Sequence, residues 1–430
     1  MAEQVTEYIC PACGGPMKFD VESGKVKCDY CASIYEIEEV KNFFAQKNQT
    51  VVENPQISED ESYWTEGDSN MKSYKCNSCG AEMVCEETTA ATSCPYCGNP
   101  AVMPQKFTGM LRPQYVIPFK VDKSEAEEEL EKYYKKKLLL PGTFKGHNHI
   151  NEIKGVYVPF WLYSGTVEAD MHFDAEQVSV KTTATEKITT TKHYDVHRKG
   201  TVKFDKVPTD ASTAMPDDLM DSIEPYDYKD LKNFEMEYLP GYIADKYDVS
   251  KEESIERSRN RAENTTADEI KKTVDGYNKV RERELVRRVK YSNEKQEYAM
   301  LPVWLLSTKW KDQDFLFAVN GQTGKMTGNL PIDKLKQILW FIGSFLFSVA
   351  FWELWTKATQ PRQLAIIAIA SIAFAFLIIW LLRSSMKPVK NMRQAANYML
   401  NEKNPVNLSI SRDNYIRTTE KREKIQQNKK

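Results

Sequence analysis

Eight of the nine cysteines stand where a metal ion would need them. Cys10, Cys13, Cys28 and Cys31 read C-x2-C, then 14 residues, then C-x2-C. Cys76, Cys79, Cys94 and Cys97 repeat that spacing 66 positions later. A C-x-x-C turn delivers two thiolates to one point, and two such turns fill the four tetrahedral positions that Zn2+ prefers. The likeness runs past the ligands: Tyr8 aligns with Tyr74, Gly14 with Gly80 and Met17 with Met83, the mark of an internal repeat. Gly14, Gly80 and Gly98 each follow the second cysteine of a pair, where the chain has to turn with positive φ. A unit of about 30 residues cannot build a sufficient core. Two structural Zn2+ ions are therefore expected, in closed four-thiolate sites that do no catalysis, with iron or a redox pair as the alternative. Cys85 is the odd cysteine. It aligns with Phe19 and reads as a small hydrophobe in a strand rather than a fifth ligand or reactive thiol.

The remaining chemistry-bearing residues assemble no familiar constellation. GQTGK (321–325) lacks the G-x4-G-K-S/T spacing and reads as a turn. There is no G-x-S-x-G, no H-E-x-x-H and no G-x-G-x-x-G after a strand. His147 and His149 lie in a Gly/Asn-rich loop, and His193 and His197 lie four apart on one face of a strand. Either pair can offer metal ligands, but polar surface histidines are the default. Trp161 and Trp304, in the echoed motifs PFWLYS and PVWLLS, read as core anchors. The basic run Arg281–Lys290 is interrupted by glutamate and reads as a solvated strand face. The chain is expected not to be an enzyme.

The elements that must carry these residues divide the chain, whose 430 residues imply two to four domains at about 100–200 residues each. Two small β zinc ribbons (1–40 and 74–107) flank an acidic linker (41–73) that holds Trp64. An α+β middle domain with an antiparallel sheet (115–332) follows, then an all-α two-helix transmembrane hairpin (337–382) and a basic tail (383–430). In the middle domain, Ser124 with Glu127 opens a helix near 124–139, stopped by Pro141-Gly142. Ser250 with Glu253 opens another near 250–274, whose mixed Arg and Glu face is expected in solvent. TVEADMHF, TVKFDKV and KVRERELVRRVKY alternate as strands, Pro159 and Pro302 suit strand starts, and a hairpin turns at Asn320–Gly324.

Ile338–Trp355 and Leu364–Leu382 are nearly free of charge, and 19 residues at about 1.5 Å rise almost span a hydrocarbon core of ~30 Å. Trp340, Trp352, Trp355 and Trp380 sit near their ends. Lys325, Lys334 and Lys336 precede the hairpin and Arg383, Lys387, Lys390 and Arg393 follow it, against Lys357 and Arg362 in its loop. Positive-inside counting predicts a two-pass cell-membrane protein with cytoplasmic N- and C-termini. The N-terminus shows no signal-peptide pattern, so the long N-terminal part is expected in a reducing compartment.

The net charge of −2 excludes a globally basic nucleic-acid binder. The tail carries 12 Lys+Arg and 4 Asp+Glu, a surplus that suits the anionic cytoplasmic leaflet or an acidic partner. Within it NLSISRDNYI alternates. It is either a strand for a partner sheet or unstructured. Residues 1–40 hold 3 Lys and 8 Asp+Glu, and 74–107 hold 2 Lys and 3 Glu, surfaces that a phosphate backbone repels.

The cysteine sets resemble the zinc ribbons of transcription factor IIB. The whole order of ribbons, α+β region, hairpin and tail is similar to the TFIIB-type zinc-ribbon membrane proteins of Gram-positive bacteria. That resemblance implies a membrane anchor or adaptor for protein partners, with relatives encoded beside phage-shock and stomatin/SPFH-like membrane proteins. The expected function is a membrane-anchored cytosolic zinc-ribbon adaptor or scaffold that localises protein partners at the membrane, in envelope-stress response. The alternatives are a membrane-tethered nucleic-acid-binding regulator and a membrane enzyme with an unrecognised site in the middle domain.

Overall fold

The computed structural model describes Cys10, Ala12 and residues 17–21, 23–28, 30–37, 39–40, 71–86, 94–97, 102–105, 111–142, 144, 153–183, 185–239, 241–283, 286–311, 313–356, 361–386, 395–401 and 404–424. Cys13, Trp64, His147, His149 and most of the linker lie outside them. In chain order the elements are β1 (Met17–Asp20), β2 (Lys25–Cys28), β3 (Ile34–Tyr35), β4 (Met71–Cys76), β5 (Glu82–Glu86), β6 (Val102–Gln105), β7 (Tyr115–Val116), α1 (Lys123–Lys135), β8 (Lys154–Thr182) and β9 (Glu186–Asp210). Then come α2 (Asp217–Ile223), β10 (Lys232–Asn233), β11 (Ile243–Asp245), α3 (Lys251–Lys272), β12 (Lys279–Glu282), β13 (Arg288–Trp310), β14 (Gln313–Asn320), β15 (Met326–Gly328), α4 (Lys334–Thr356), α5 (Pro361–Ser384) and β16 (Asn407–Lys424).

Two compact units result. The first takes Met1–Phe160, Asp210–Asp248 and Tyr298–Asn391. The second takes Trp161–Thr209, Val249–Glu297 and Met392–Lys430. The stretch 115–332, expected as one middle domain, contributes to both.

In the first unit β1, β2 and β3 form a small antiparallel sheet. β4 pairs with β5 and β6, and β5 pairs with β11 through Val84 and Met83. The second ribbon is thus part of a larger sheet, not a free module. That sheet is mixed rather than antiparallel: β11 runs parallel to β8, and β7 parallel to β13. An aromatic cluster fills the core, with Phe119 stacked on Tyr242 at 4.1 Å and edge-on to Trp304 at 5.1 Å. The Trp304 indole donates to the Val121 carbonyl at 2.9 Å, the partner that a buried indole needs.

Local signals explain the helices with two corrections. The capping box of α1 is Asp122 with Glu125, not Ser124 with Glu127. The helix also ends at Lys135, where the Lys136 amide closes the last turn on the Lys132 carbonyl, and Leu139 and Leu140 are buried beyond it. Ser250 with Glu253 caps α3 as read. Its charged face is only partly solvated: Arg261 is buried with its guanidinium on the Pro208 carbonyl at 2.5 Å, and Arg259 grips Glu294. Pro159 and Pro302 lie inside β8 and β13 rather than at their starts. Each lacks an amide to donate, but its carbonyl still accepts, from Ala211 at 2.9 Å and Gly321 at 2.8 Å. The turn after β14 closes with the Gly324 amide on the Asn320 carbonyl, φ +73° at Gly324.

The second unit is built on β8, β9 and β16 with α3 packed on one face. Ala169, Met171, Phe173 and Ala175 of β8 join Val196, Ala267, Ile270 and Val274 in its core. The alternate residues of β8 point to the other face, as period-2 geometry requires. The alternating segment of the tail is a strand that joins this chain's own sheet. As β16 it runs antiparallel to β9 from Asn407 opposite Thr201 to Lys424 opposite Glu186. Arg198, buried in β9, ties it down by donating to Asp413 at 2.5 Å, and the Tyr277 hydroxyl donates to the same carboxylate at 2.8 Å. The Arg198 guanidinium holds the Asp413 carboxyl below its usual range. The pair's contribution is therefore full above the ordinary value of 3.8 and lost as pH falls through the depressed one. Asp413→Ala leaves the Arg198 guanidinium only the His197 and Arg412 carbonyls among the described residues and, with the carboxylate 38% exposed, is expected to cost about 1 kcal/mol. The check is urea unfolding at pH 7, where a loss below about 0.5 kcal/mol would refute the coupling.

Candidate metal centres and membrane helices

The second cysteine cluster is fully described. Cys76 and Cys94 are buried, Cys97 half-buried and Cys79 exposed. Cys76 Sγ lies 3.6 Å from Cys97 Sγ, and Cys79 Sγ 3.7 Å from Cys94 Sγ. A disulfide would hold two sulfurs at about 2.05 Å. Four thiolates around one Zn2+ at about 2.3 Å sit ~3.8 Å apart along a tetrahedron's edges. The observed separations match the second geometry. The knuckle is built by the backbone: the Gly80 amide donates to the Cys76 carbonyl and the Cys76 amide to the Ala81 carbonyl, both at 2.9 Å. Gly80 has φ +79°, the left-handed conformation expected of it. The site also favours thiolate at Cys76. Burial works against it, but the Cys79 and Ser78 amides outweigh that and bring the thiol down to about 7. Burial dominates at Cys79, pushed up to about 11, and at Cys94, pushed higher still. A cation placed between them would supply the charge that burial denies.

In the first cluster Cys10, Cys28 and Cys31 come together, with Cys10 Sγ 3.5 Å from Cys31 Sγ. Cys13, the fourth expected ligand, falls outside the described residues. The same knuckle bonds recur, from the Ala32 amide to Cys28 and from the Cys28 amide to Ser33, both at 2.9 Å. Here the left-handed residue is Ala32, φ +56°, so a search for glycine after the cysteine misses it. Met17, Val26 and Val40 complete a core too small to stand by itself. Both clusters fit a metal ion.

Each ribbon makes contacts that the cysteine spacing did not announce. Phe19 meets Tyr238 edge-on at 5.4 Å. Phe19 and Asp20 also line a cavity of about 560 Å³, together with Asp122, Lys123, Tyr242 and Trp304. Glu82 on β5 pairs with Lys75 at 3.0 Å and Lys246 at 2.7 Å. Tyr96, between Cys94 and Cys97, is buried near Asp245. Cys85 lies in β5 opposite Lys72, a strand position as read.

α4 and α5 are long and apolar enough to span a membrane, with mean hydropathies of 1.6 and 2.8. Only 11% and 22% of their most apolar windows are covered by protein, so neither is a core helix of these units. α5 buries Ile367, Ser371, Ala375 and Ile379, one stripe at four-residue spacing, and Phe376 meets Phe341 of α4 at 5.1 Å. The helix pair starts from a fixed point: the Asp333 amide donates to Leu139, and Lys336 Nζ to Leu140 at 2.6 Å. Glu353 lies in the last turn of α4.

Of the sequence-stressed histidines, His193 and His197 both lie on β9 and face β8's polar side. His197 Nε2 is 2.7 Å from Asp170, and His193 Nδ1 3.7 Å from Glu176. The Trp161 indole donates to the Val249 carbonyl at 2.9 Å, a structural anchor.

These features define a class: a protein with two cysteine clusters able to hold metal, a mixed sheet and two helices able to cross a membrane. The chain is 35% identical over 341 residues, 79% of its length and 94% of the other's, to the Bacillus subtilis (strain 168) protein described as "Uncharacterized protein YdjG", and it belongs to that protein's family. No family model matches it, and no solved structure does.

Proposed function

We propose that this protein is a membrane-anchored zinc-ribbon adaptor. Two Zn2+ ions, held by Cys10, Cys13, Cys28 and Cys31 and by Cys76, Cys79, Cys94 and Cys97, make the ribbons rigid. The hairpin fixes the chain in the cell membrane with both termini in the cytoplasm, and the ribbons present a face to protein partners there. The TFIIB-type resemblance points to partners of the phage-shock or SPFH-like class. The supporting observation is the combination of two cysteine clusters able to hold metal with two helices whose apolar surface the described residues leave largely uncovered. Closed four-thiolate sites leave no coordination position for substrate, so the role is binding rather than catalysis.

The test is recovery of partners by proximity labelling in the native cell, comparing wild type with Cys28→Ser and with a chain lacking 334–384. Loss of the same partners from both variants is expected, with the shortened chain released from the membrane fraction. Equal recovery from all three, or a shortened chain still in the membrane fraction, would sink the reading.

A further inference from the structure

The polar face of the second unit carries a third cluster, free of cysteine. Asp170 and His172 on β8 and His197 on β9 place one ligand atom each within 4.8 Å of one another. The two imidazoles lie 4.2 Å apart and nearly parallel, at 9°. His197 Nε2 is 2.7 Å from Asp170 Oδ1, and Asp195 Oδ1 lies 3.6 Å from His172 Nδ1. Neighbouring cross-strand contacts on this face are cation–anion pairs. Lys199 meets Glu168 at 3.1 Å, and Arg283 reaches both Asp174 at 2.5 Å and Asp195 at 3.2 Å. Asp170 meets an imidazole there, as Glu176 and Asp195 also do at longer range, but at 2.7 Å its contact is the shortest of the three.

We propose that Asp170, His172 and His197 bind a divalent first-row transition ion such as Zn2+, a site separate from the two cysteine centres and not required by the adaptor reading. Two imidazole nitrogens and a carboxylate oxygen are borderline ligands that suit Zn2+, Co2+ or Ni2+ better than Ca2+ or Mg2+. Asp195 stands where a carboxylate orients a ligating imidazole through its other nitrogen, and Arg283 in turn fixes Asp195. Three protein ligands leave a fourth position open for water or a partner's side chain. Parallel rings do not aim their lone pairs at one point, so binding requires the imidazoles to turn about χ2, a soft torsion. The side chains are partly exposed, at 32% for His172 and 19% for His197, which leaves them that freedom.

Full-length protein without a histidine tag, purified in detergent with its cysteine centres already filled, is titrated with Zn2+ by calorimetry. One further equivalent per chain is expected. His172→Ala and His197→Ala should each weaken it at least tenfold, the conservative Asp170→Asn should weaken it less, and His193→Ala should leave it unchanged. Melting curves without added Zn2+ identify any variant that has lost its fold, and Asp170→Asn then carries the decision. No further equivalent overturns the proposal. So does one that survives both histidine variants, or one that His193→Ala weakens equally.

Discussion

Cys94→Ser is expected to unfold far more than the ribbon that contains it, whereas Cys28→Ser should cost little beyond residues 17–40. Both cysteines are buried members of similar clusters, so the difference lies in what each ribbon is joined to. β1, β2 and β3 pair only among themselves among the described strands. β5 instead hydrogen-bonds β11, and β11 hydrogen-bonds the start of β8 through Ile243 and Ala244. Metal binding to a structural site is worth about 10–16 kcal/mol in small peptides, as much as the whole net stability of a domain, about 5–15 kcal/mol. Removing one ligand forfeits most of that term and leaves β5 without its tether, uncovering Met83 and Val84. Hydrogen exchange on the full-length protein is the measurement. Cys94→Ser should lose protection across β4, β5, β11 and the first residues of β8, and Cys28→Ser should keep it there. Purely local loss in both variants would mean that the second ribbon is an appended module after all.

That asymmetry could not be read from the sequence. The cysteine spacing is legible because a knuckle is local: six consecutive residues and two backbone bonds make it. The union of the second ribbon with the sheet depends on β11, only three residues long, meeting a strand some 160 positions earlier. Three residues carry no periodicity to detect. Long strands were legible in pieces. β8 alternates clearly from Val167 to Ala175, but Pro159 suggested a start where the strand in fact passes through. The capping box marks the start of α3, whereas Ser124 marks that of α1 two residues late because Asp122 does the capping.

The histidine cluster shows the same limit at a site. Period-2 alternation puts Asp170 and His172 on one face, and His193 and His197 on another. What brings the two faces together is the hairpin between β8 and β9, whose turn is closed by Thr183 and Glu186. The segment KTTATEK has no glycine, proline or asparagine, so it gives none of the usual turn signals. The tail strand is a parallel case. Its alternation was visible, but its partner was not, because the pairing residue Arg198 lies more than 200 positions away.

Asp245→Asn is expected to stabilise the protein at pH 8 and to do much less at pH 5. Asp245 ends β11 beside the second ribbon and is almost completely buried. Its Oδ1 accepts from the Lys246 amide at 3.0 Å, while Oδ2 has no partner at hydrogen-bond distance among the described residues. Burial pushes its carboxyl up to about 7, Asp248 adds to this, and nearby Ser212 and Tyr96 pull the other way without offsetting it. In the unfolded chain the same group titrates near 3.8. Between these values the folded state holds a proton that the unfolded state has released, so stability falls as pH rises from about 4 to 7 and stays low above that. A shift of this size corresponds to about 4 kcal/mol at most. Asparagine removes the penalty but also weakens the contact with the Lys246 amide, a loss of about 1 kcal/mol. The net gain at pH 8 should therefore be about 2–3 kcal/mol. Metal affinity also varies with pH, but equally in both proteins, so the difference between their unfolding free energies isolates Asp245. Urea unfolding of metal-loaded wild type and variant at pH 5 and pH 8 measures it. A difference that does not change with pH would show that this carboxylate keeps its charge in the fold, and that the junction between ribbon and sheet admits water.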